Sequence, residues 1–351
     1  MPTNDQFVAQ LLEKSSPGYA GLSAGLLLQR LPEIEKRYEP DGFSAWKDQL
    51  LRWLLDLSGA VAIREPKLFE ASMVWSRDAF ISRQSPVDDL QAALTALRDI
   101  LAERLPEDSA ELVIPTVDQA ITTIAKPAVM QASGTDSEGP GNLALSYLET
   151  ILEGRPREAI EGVLKQVDDG ISIRDAYLTV LIPALRETGR MWHAGELLIA
   201  EEHLITTTCR QAMTLLCERG RTSEKNDKAI LLGCVAGNVH DIGIFAVADF
   251  FEMAGWRVIN LGPDVPAVEI ARSVQLFDID VVLLSAALDA HLRPMQSTIS
   301  EIRRFNERNV KILVGGAPFD RIAELWRSVG ADGYSASVDD AVPLASKLLQ
   351  T

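Results

Sequence analysis

The sequence predicts a multidomain protein: an all-α N-terminal domain, a second group of four helices, and a five-stranded α/β domain built on a parallel sheet. Three observations carry this prediction. Apolar residues recur at three and four spacing through the first 125 positions. Residues 126–141, AKPAVMQASGTDSEGP, are rich in Gly, Ser and Pro and have no apolar period, as a linker does. Beyond residue 226, short apolar runs alternate with helical stretches.

The N-terminal domain, residues 1–125, reads as AGLLLQRLPEIEKRY, FSAWKDQLLRWLLDLSGAVAI, LFEASMVWSRDAFI, VDDLQAALTALRDILAERL and SAELVIPTVDQAITTI. Turn and capping signals separate these helices at Glu39-Pro40-Asp41-Gly42, Glu65-Pro66, Ser85-Pro86 and Glu107-Asp108-Ser109. It has no zinc spacing, phosphate loop or basic recognition helix. Trp46, Trp53, Trp75 and Phe80, with Arg52, Arg64 and Arg77, fit two readings: a helical core with a dimer face, or the lining of a pocket for a flat, acidic ligand. No histidine precedes residue 193, which disfavours haem. No cysteine lies here either, which excludes a covalently held bilin and leaves a non-covalent one open.

The second helical group, residues 142–222, comprises LALSYLETILEG, PREAIEGVLKQVDDG, SIRDAYLTVLIPALRETG and a long helix from about Gly195 to Arg219. The α/β domain, residues 226–351, places strands near 228–235, 256–261, 280–285, 311–315 and 332–336, joined by helices, in a flavodoxin-like (Rossmann-like) order. Its first strand, Ala229 to Val235, is apolar or Gly throughout, the pattern of a strand buried on both faces. That strand delivers Gly237, Asn238, Val239 and His240 to its carboxyl end, the edge at which open α/β sheets bind ligands, and Gly243 opens the next helix.

The spacing Asn238-x-His240-x-x-Gly243, followed by Gly262-Pro263-Asp264-Val265-Pro266, Ser285 at the end of the third strand and Gly315-Gly316 after the fourth, resembles the cobalamin-binding domain. The resemblance covers about residues 142–351. It implies that His240 replaces dimethylbenzimidazole as lower ligand of cobalt, with Asn238, Asp241 and Gly243 around it. The displaced nucleotide tail would pass Ser285, Gly315, Gly316 and Tyr334. Two departures stand out: Asn238 where the family has Asp, and Ala287 where it has the Leu of Ser-x-Leu. An amide oxygen accepts the imidazole N–H without a charge, which implies a weaker donor to cobalt.

The four helices before the sheet look like the cap over the upper corrin face. Trp192, followed at a distance by Glu202-His203, resembles the Trp-x9-Glu-His signature of light-sensing cobalamin regulators of the CarH and LitR type. The resemblance implies that Trp192, Glu202 and His203 hold a 5′-deoxyadenosyl group. It also implies that His193 can ligate cobalt after light has broken the cobalt–carbon bond.

The formal charge of −16 argues against nucleic acid as a direct partner, because such a surface needs clustered Lys and Arg. Cys209, Cys217 and Cys234 sit unevenly in apolar patterns, as buried thiols do. There is no apolar run of membrane-span length and no signal-peptide layout at the start, so the expected location is the cytoplasm. The expectation is a non-enzymatic light sensor with adenosylcobalamin as chromophore, forming homo-oligomers and signalling through a downstream protein. The overall layout is similar to photocobilins, which adds biliverdin as an expected second chromophore. The alternative is a corrinoid methyl carrier of a methyltransferase system.

Overall fold

The computed structural model describes residues 4–126, 141–221, 224–305, 309–322 and 324–350. The linker expected at 126–141 therefore lies almost wholly outside the described residues. Six helices come first: α1 (Asn4–Arg30), α2 (Glu33–Arg37), α3 (Gly42–Ile63), α4 (Pro66–Ser82), α5 (Val87–Arg104) and α6 (Glu107–Ile124). Helix α1 starts well before the periodic stretch seen in the sequence. Its buried face there is made of Ser16, Ala20 and Ser23 as well as Val8 and Leu12, and small residues hide the apolar period. Asp41 caps α3 by accepting the Ser44 N–H at 2.9 Å.

Trp46 and Trp53 are core residues of this helical layer, with ring centroids 6.3 Å apart and Phe80 5.9 Å from Trp46. The Trp53 indole N–H donates to Ser76 Oγ at 3.2 Å. Trp75 is exposed, Arg64 pairs with Asp5, Arg52 bonds Gln49, and the buried Arg77 pairs with Asp78.

The second group holds α7 (Asn142–Leu152), α8 (Pro156–Asp168), α9 (Ile173–Ala176), a π turn over Tyr177–Leu181, α10 (Ile182–Ala194) and α11 (Ile199–Gly220). Tyr147, Ile151, Val163, Tyr177, Leu181, Ile205 and Met213 form its core, with Phe250 from the α/β half. Gly195, at φ +75°, stops α10 in the left-handed conformation that favours glycine. The long helix consequently begins at Ile199, later than the sequence indicates.

The α/β half runs β1 (Ala229–Cys234), α12 (Ile242–Met253), β2 (Arg257–Asn260), α13 (Ala267–Leu276), β3 (Val281–Ser285), a 3₁₀ turn over Asp289–His291, α14 (Leu292–Phe305), β4 (Lys311–Gly315), α15 (Ala317–Arg321), α16 (Leu325–Ser328), β5 (Gly333–Tyr334) and α17 (Ala341–Leu348). The sheet is parallel, in the order β2-β1-β3-β4-β5. All six residues of β1 are buried, as a central strand requires.

Two units divide the chain. One joins Met1–Val129 with Ala286–Ile299 and Gly316–Gly330, and the other holds Met130–Ser285, Ser300–Gly315 and Ala331–Thr351. Among the described residues no helix is long and apolar enough to cross a membrane.

Candidate functional site

The site is built where β1 ends. The chain turns through Gly237, at φ +81°, and its N–H donates to Asp264 Oδ1 at 2.7 Å. The Asp264 N–H in turn donates to the Asn238 carbonyl at 2.9 Å, and Val235 pairs with Val265. The Gly-Pro-Asp turn after β2 thus braces the loop that carries the histidine.

Asn238 is fully buried. Its Nδ2 donates to the Ser285 carbonyl at 3.0 Å, which turns its Oδ1 toward His240. That oxygen accepts the His240 backbone N–H at 3.1 Å and lies 3.2 Å from His240 Nδ1. An acceptor at Nδ1 selects the tautomer whose lone pair is on Nε2, the arrangement that second-shell partners give to a metal-binding imidazole. The amide is matched to its neighbour: a carboxylate at 238 would set an oxygen against the Ser285 carbonyl.

Register gathers the remaining sheet residues. Cys234 lies beside Ser285, Ser285 beside Gly315, and Tyr334 pairs with Val314 one position deeper. The two glycines differ in their reasons. A Cβ on Gly315 would make only an ordinary 3.5 Å contact with the Ser335 carbonyl. One on Gly316, at φ +110°, would come 1.9 Å from the Ala286 carbonyl oxygen, so the chain itself requires that glycine. A Cβ on Gly243, in the first turn of α12, would meet no atom of the chain within 4 Å.

In the second helical group, Trp192 and His193 occupy the last turn of α10, Glu202 ends the first turn of α11, and His203 follows it. Glu202 Oε2 is 2.9 Å from His203 Nδ1, and its Oε1 accepts from Thr206 Oγ1 at 2.7 Å. Further along α11, Arg210 Nη2 donates to Asp241 Oδ1 at 2.6 Å, with the guanidinium 4.9 Å from the Phe245 ring centroid. This ion pair ties the helix bearing Glu202 and His203 to the histidine loop. Positions 202, 206 and 210 form one stripe, with the ends about 12 Å apart along the axis.

Large apolar groups around these elements stand in water: Trp192 is 41% exposed, Leu198 70%, Ile199 66% and Val239 67%. Apolar rims beside an oriented imidazole and a paired Glu and His fit a large flat group with apolar edges and polar substituents. The thiols do not contribute: burial pushes Cys209 and Cys234 up to about 12, and all three cysteines are buried and free.

Arg210 and the bracing role of Asp264 are not evident from sequence. Asp264 stands in a recognisable turn, but its partner is 27 residues away, and Arg210 looks like any solvated helix residue.

Comparison with known proteins agrees with this geometry. A family described as B12 binding domain matches residues 228–342, and a second of the same description matches residues 143–216. A corrinoid protein of Desulfitobacterium hafniense is 28% identical over 207 residues, 57% of this chain and 94% of the relative. Dimethylamine corrinoid protein 1 of Methanosarcina acetivorans is 30% identical, covering 48% of this chain and 80% of the relative. The HTH-type transcriptional repressor CarH of Myxococcus xanthus is 28% identical over 45% of this chain and 52% of the repressor. The structure of the Methanosarcina barkeri monomethylamine corrinoid protein superposes with a TM-score of 0.51 at 18% identity, over 59% of this chain and 96% of that one, and shares the fold.

Proposed function

We propose, from the premise that this chain belongs to the B12-binding corrinoid proteins, that it is a light sensor whose chromophore is adenosylcobalamin. The residues fit a corrinoid. His240 Nε2 would hold cobalt from below, positioned by Asn238; Gly243, Val239 and Gly315 leave room for a bulky group beside it; and Ser285 and Tyr334 border the path of a nucleotide tail. When bound, adenosylcobalamin supplies a cobalt–carbon bond that light breaks.

The observation that carries the reading is the exposed Trp192 indole, one helix break before the paired Glu202 and His203. A broad indole shields a purine, while the carboxylate and imidazole bond its polar edge and the ribose hydroxyls. His193, beside Trp192, would offer an imidazole from the cap side. The chain's own role is to bind, orient and change contacts, as a two-state switch requires, and not to act as an enzyme. Its output is a change of homo-oligomer or of a contact with a downstream protein.

Biliverdin as second chromophore belongs to the same reading. Two features of the N-terminal helices support it: Arg77 is a buried cation, and Trp46 Nε1 is buried with no hydrogen-bond partner among the described residues.

The experiment is reconstitution with adenosylcobalamin in darkness, followed by absorbance and size-exclusion profiles before and after green light. Both should change, and the bis-imidazole spectrum should be missing in His193→Ala. A corrinoid that is bound but photochemically inert overturns the reading. Adding biliverdin should give a red-absorbing band.

A second reading, a corrinoid methyl carrier, is favoured by the dimethylamine corrinoid proteins among the relatives. It shares His240 and the cap, but gives no role to the N-terminal helices, which lie outside the matched residues. It predicts preference for methylcobalamin and no light response.

A further inference from the structure

Helix α3 carries a partly buried polar contact to a distant part of the same unit. Asp56 Oδ1 accepts the Ala290 N–H at 3.1 Å, across 234 positions of sequence, while its Oδ2 accepts from Ser72 Oγ at 2.6 Å. Three residues on, Gly59 lies against the same turn: a Cβ there would come 2.3 Å from the Asp289 carbonyl oxygen. The turn is wound by His291, whose Nδ1 accepts the N–H groups of Ala287 at 3.2 Å and Leu288 at 3.1 Å. The Asp289 carboxylate takes Arg321 Nη2, from α15, at 2.5 Å. Gly316, just before α15, closes on the Ala286 carbonyl.

A surface turn after a strand needs none of this. The buried Asp289 and the half-buried Asp56 carboxylates, each satisfied by particular partners, fix one backbone path, and losing a partner leaves a shielded polar group unpaired. The segment so fixed, 286–288, directly follows Ser285, and Gly316 is the second residue of the Gly-Gly pair, the two motifs along the path of the nucleotide tail in the cobalamin reading.

We propose that Asp56 and Gly59 are positioning residues for the corrinoid's nucleotide tail: by holding the 289–291 turn, α3 sets the 286–288 segment, which links tail binding to the N-terminal helices. This rests on the cobalamin reading of the site.

The test compares two corrinoids on the full chain, hydroxocobalamin and cobinamide, which lacks the tail. Asp56→Ala should weaken hydroxocobalamin about tenfold and leave cobinamide within about twofold. Asp56→Asn keeps an oxygen for the Ala290 N–H and an amide for Ser72, and should restore most of the loss. Gly59→Ala should reproduce the selective loss by pushing on the Asp289 carbonyl, and it stands in if Asp56→Ala fails to fold. Equal losses for both corrinoids, or none for hydroxocobalamin, overturn the proposal. If the wild type takes up neither corrinoid, the cobalamin reading itself falls and this link with it. If the wild type and all variants bind both alike, only the link falls.

Discussion

The Asn238 side-chain amide donates to the Ser285 carbonyl, which leaves its oxygen no orientation but toward His240. One fully buried amide therefore joins the first strand's loop to the end of the third and sets the imidazole tautomer. The departure from aspartate is thus matched to its surroundings.

Asn238→Asp should destabilise the unliganded protein by about 1–3 kcal/mol at neutral pH, because a buried carboxylate oxygen would face a carbonyl. Burial raises the pKa of such a group, so the deficit should shrink as pH falls and the carboxyl takes up a proton to donate. Urea unfolding at pH 7 and pH 4.5, as approximate settings, checks it; a deficit that is constant with pH contradicts it.

His240→Ala removes the proposed lower ligand while leaving the Asn238–Ser285 bond in place. Retention of hydroxocobalamin should fall by about tenfold or more in equilibrium dialysis. Added imidazole should recover part of the binding, which a collapsed loop would not permit.

Tyr177 Oη lies 2.6 Å from Asp249 Oδ2 and 2.9 Å from the Met213 carbonyl, yet carries a single proton. Both bonds form when Asp249 is protonated and donates to the phenol. Burial pushes Asp249 up from 3.8 to about 6 despite the Tyr177 hydroxyl, which pulls it down. Because the folded value is the higher, the stabilising contribution is complete below 3.8 and is lost as pH rises through about 6. Asp249→Asn, which keeps a donor at every pH, should gain on the wild type across that window by an amount on the order of 3 kcal/mol. Chemical denaturation of both proteins from about pH 4 to pH 8 measures the difference, and parallel curves would contradict it.

Arg210→Ala breaks the bond between α11 and the histidine loop. The pair is partly solvated, so the fold should lose no more than about 1 kcal/mol. Corrinoid dissociation, followed by stopped-flow absorbance with an excess competitor, should quicken while the thermal midpoint hardly moves. An unchanged rate would mean that the bond does not steady the loop.

The parallel sheet, its order and the histidine loop were legible because each depends on local pattern: an apolar run for β1, Gly237 and Gly243 around Asn238 and His240, and alternating helices. The start of α1 was not, since serine and alanine fill its buried face. Periodicity reports which face of a helix is buried but not what covers it. Arg210 to Asp241 and Asp56 to Ala290 are pairings between segments far apart in the chain, and no local signal specifies them. Gly316 was legible as a glycine, but the steric reason for it, the Ala286 carbonyl, comes from a segment far away in the chain.

The wide turn over Tyr177–Leu181 sits upstream of Trp192 in one continuous helical run. Each α-helical residue advances about 100° around the axis, so a residue added to a regular α-helix turns everything downstream by that angle, whereas a π turn takes up the extra residue and keeps the downstream phase. The azimuth of the indole therefore depends on a place remote from it: a 177–181 turn tightened to α geometry at unchanged length would swing the ring by about 100° with every rim residue intact.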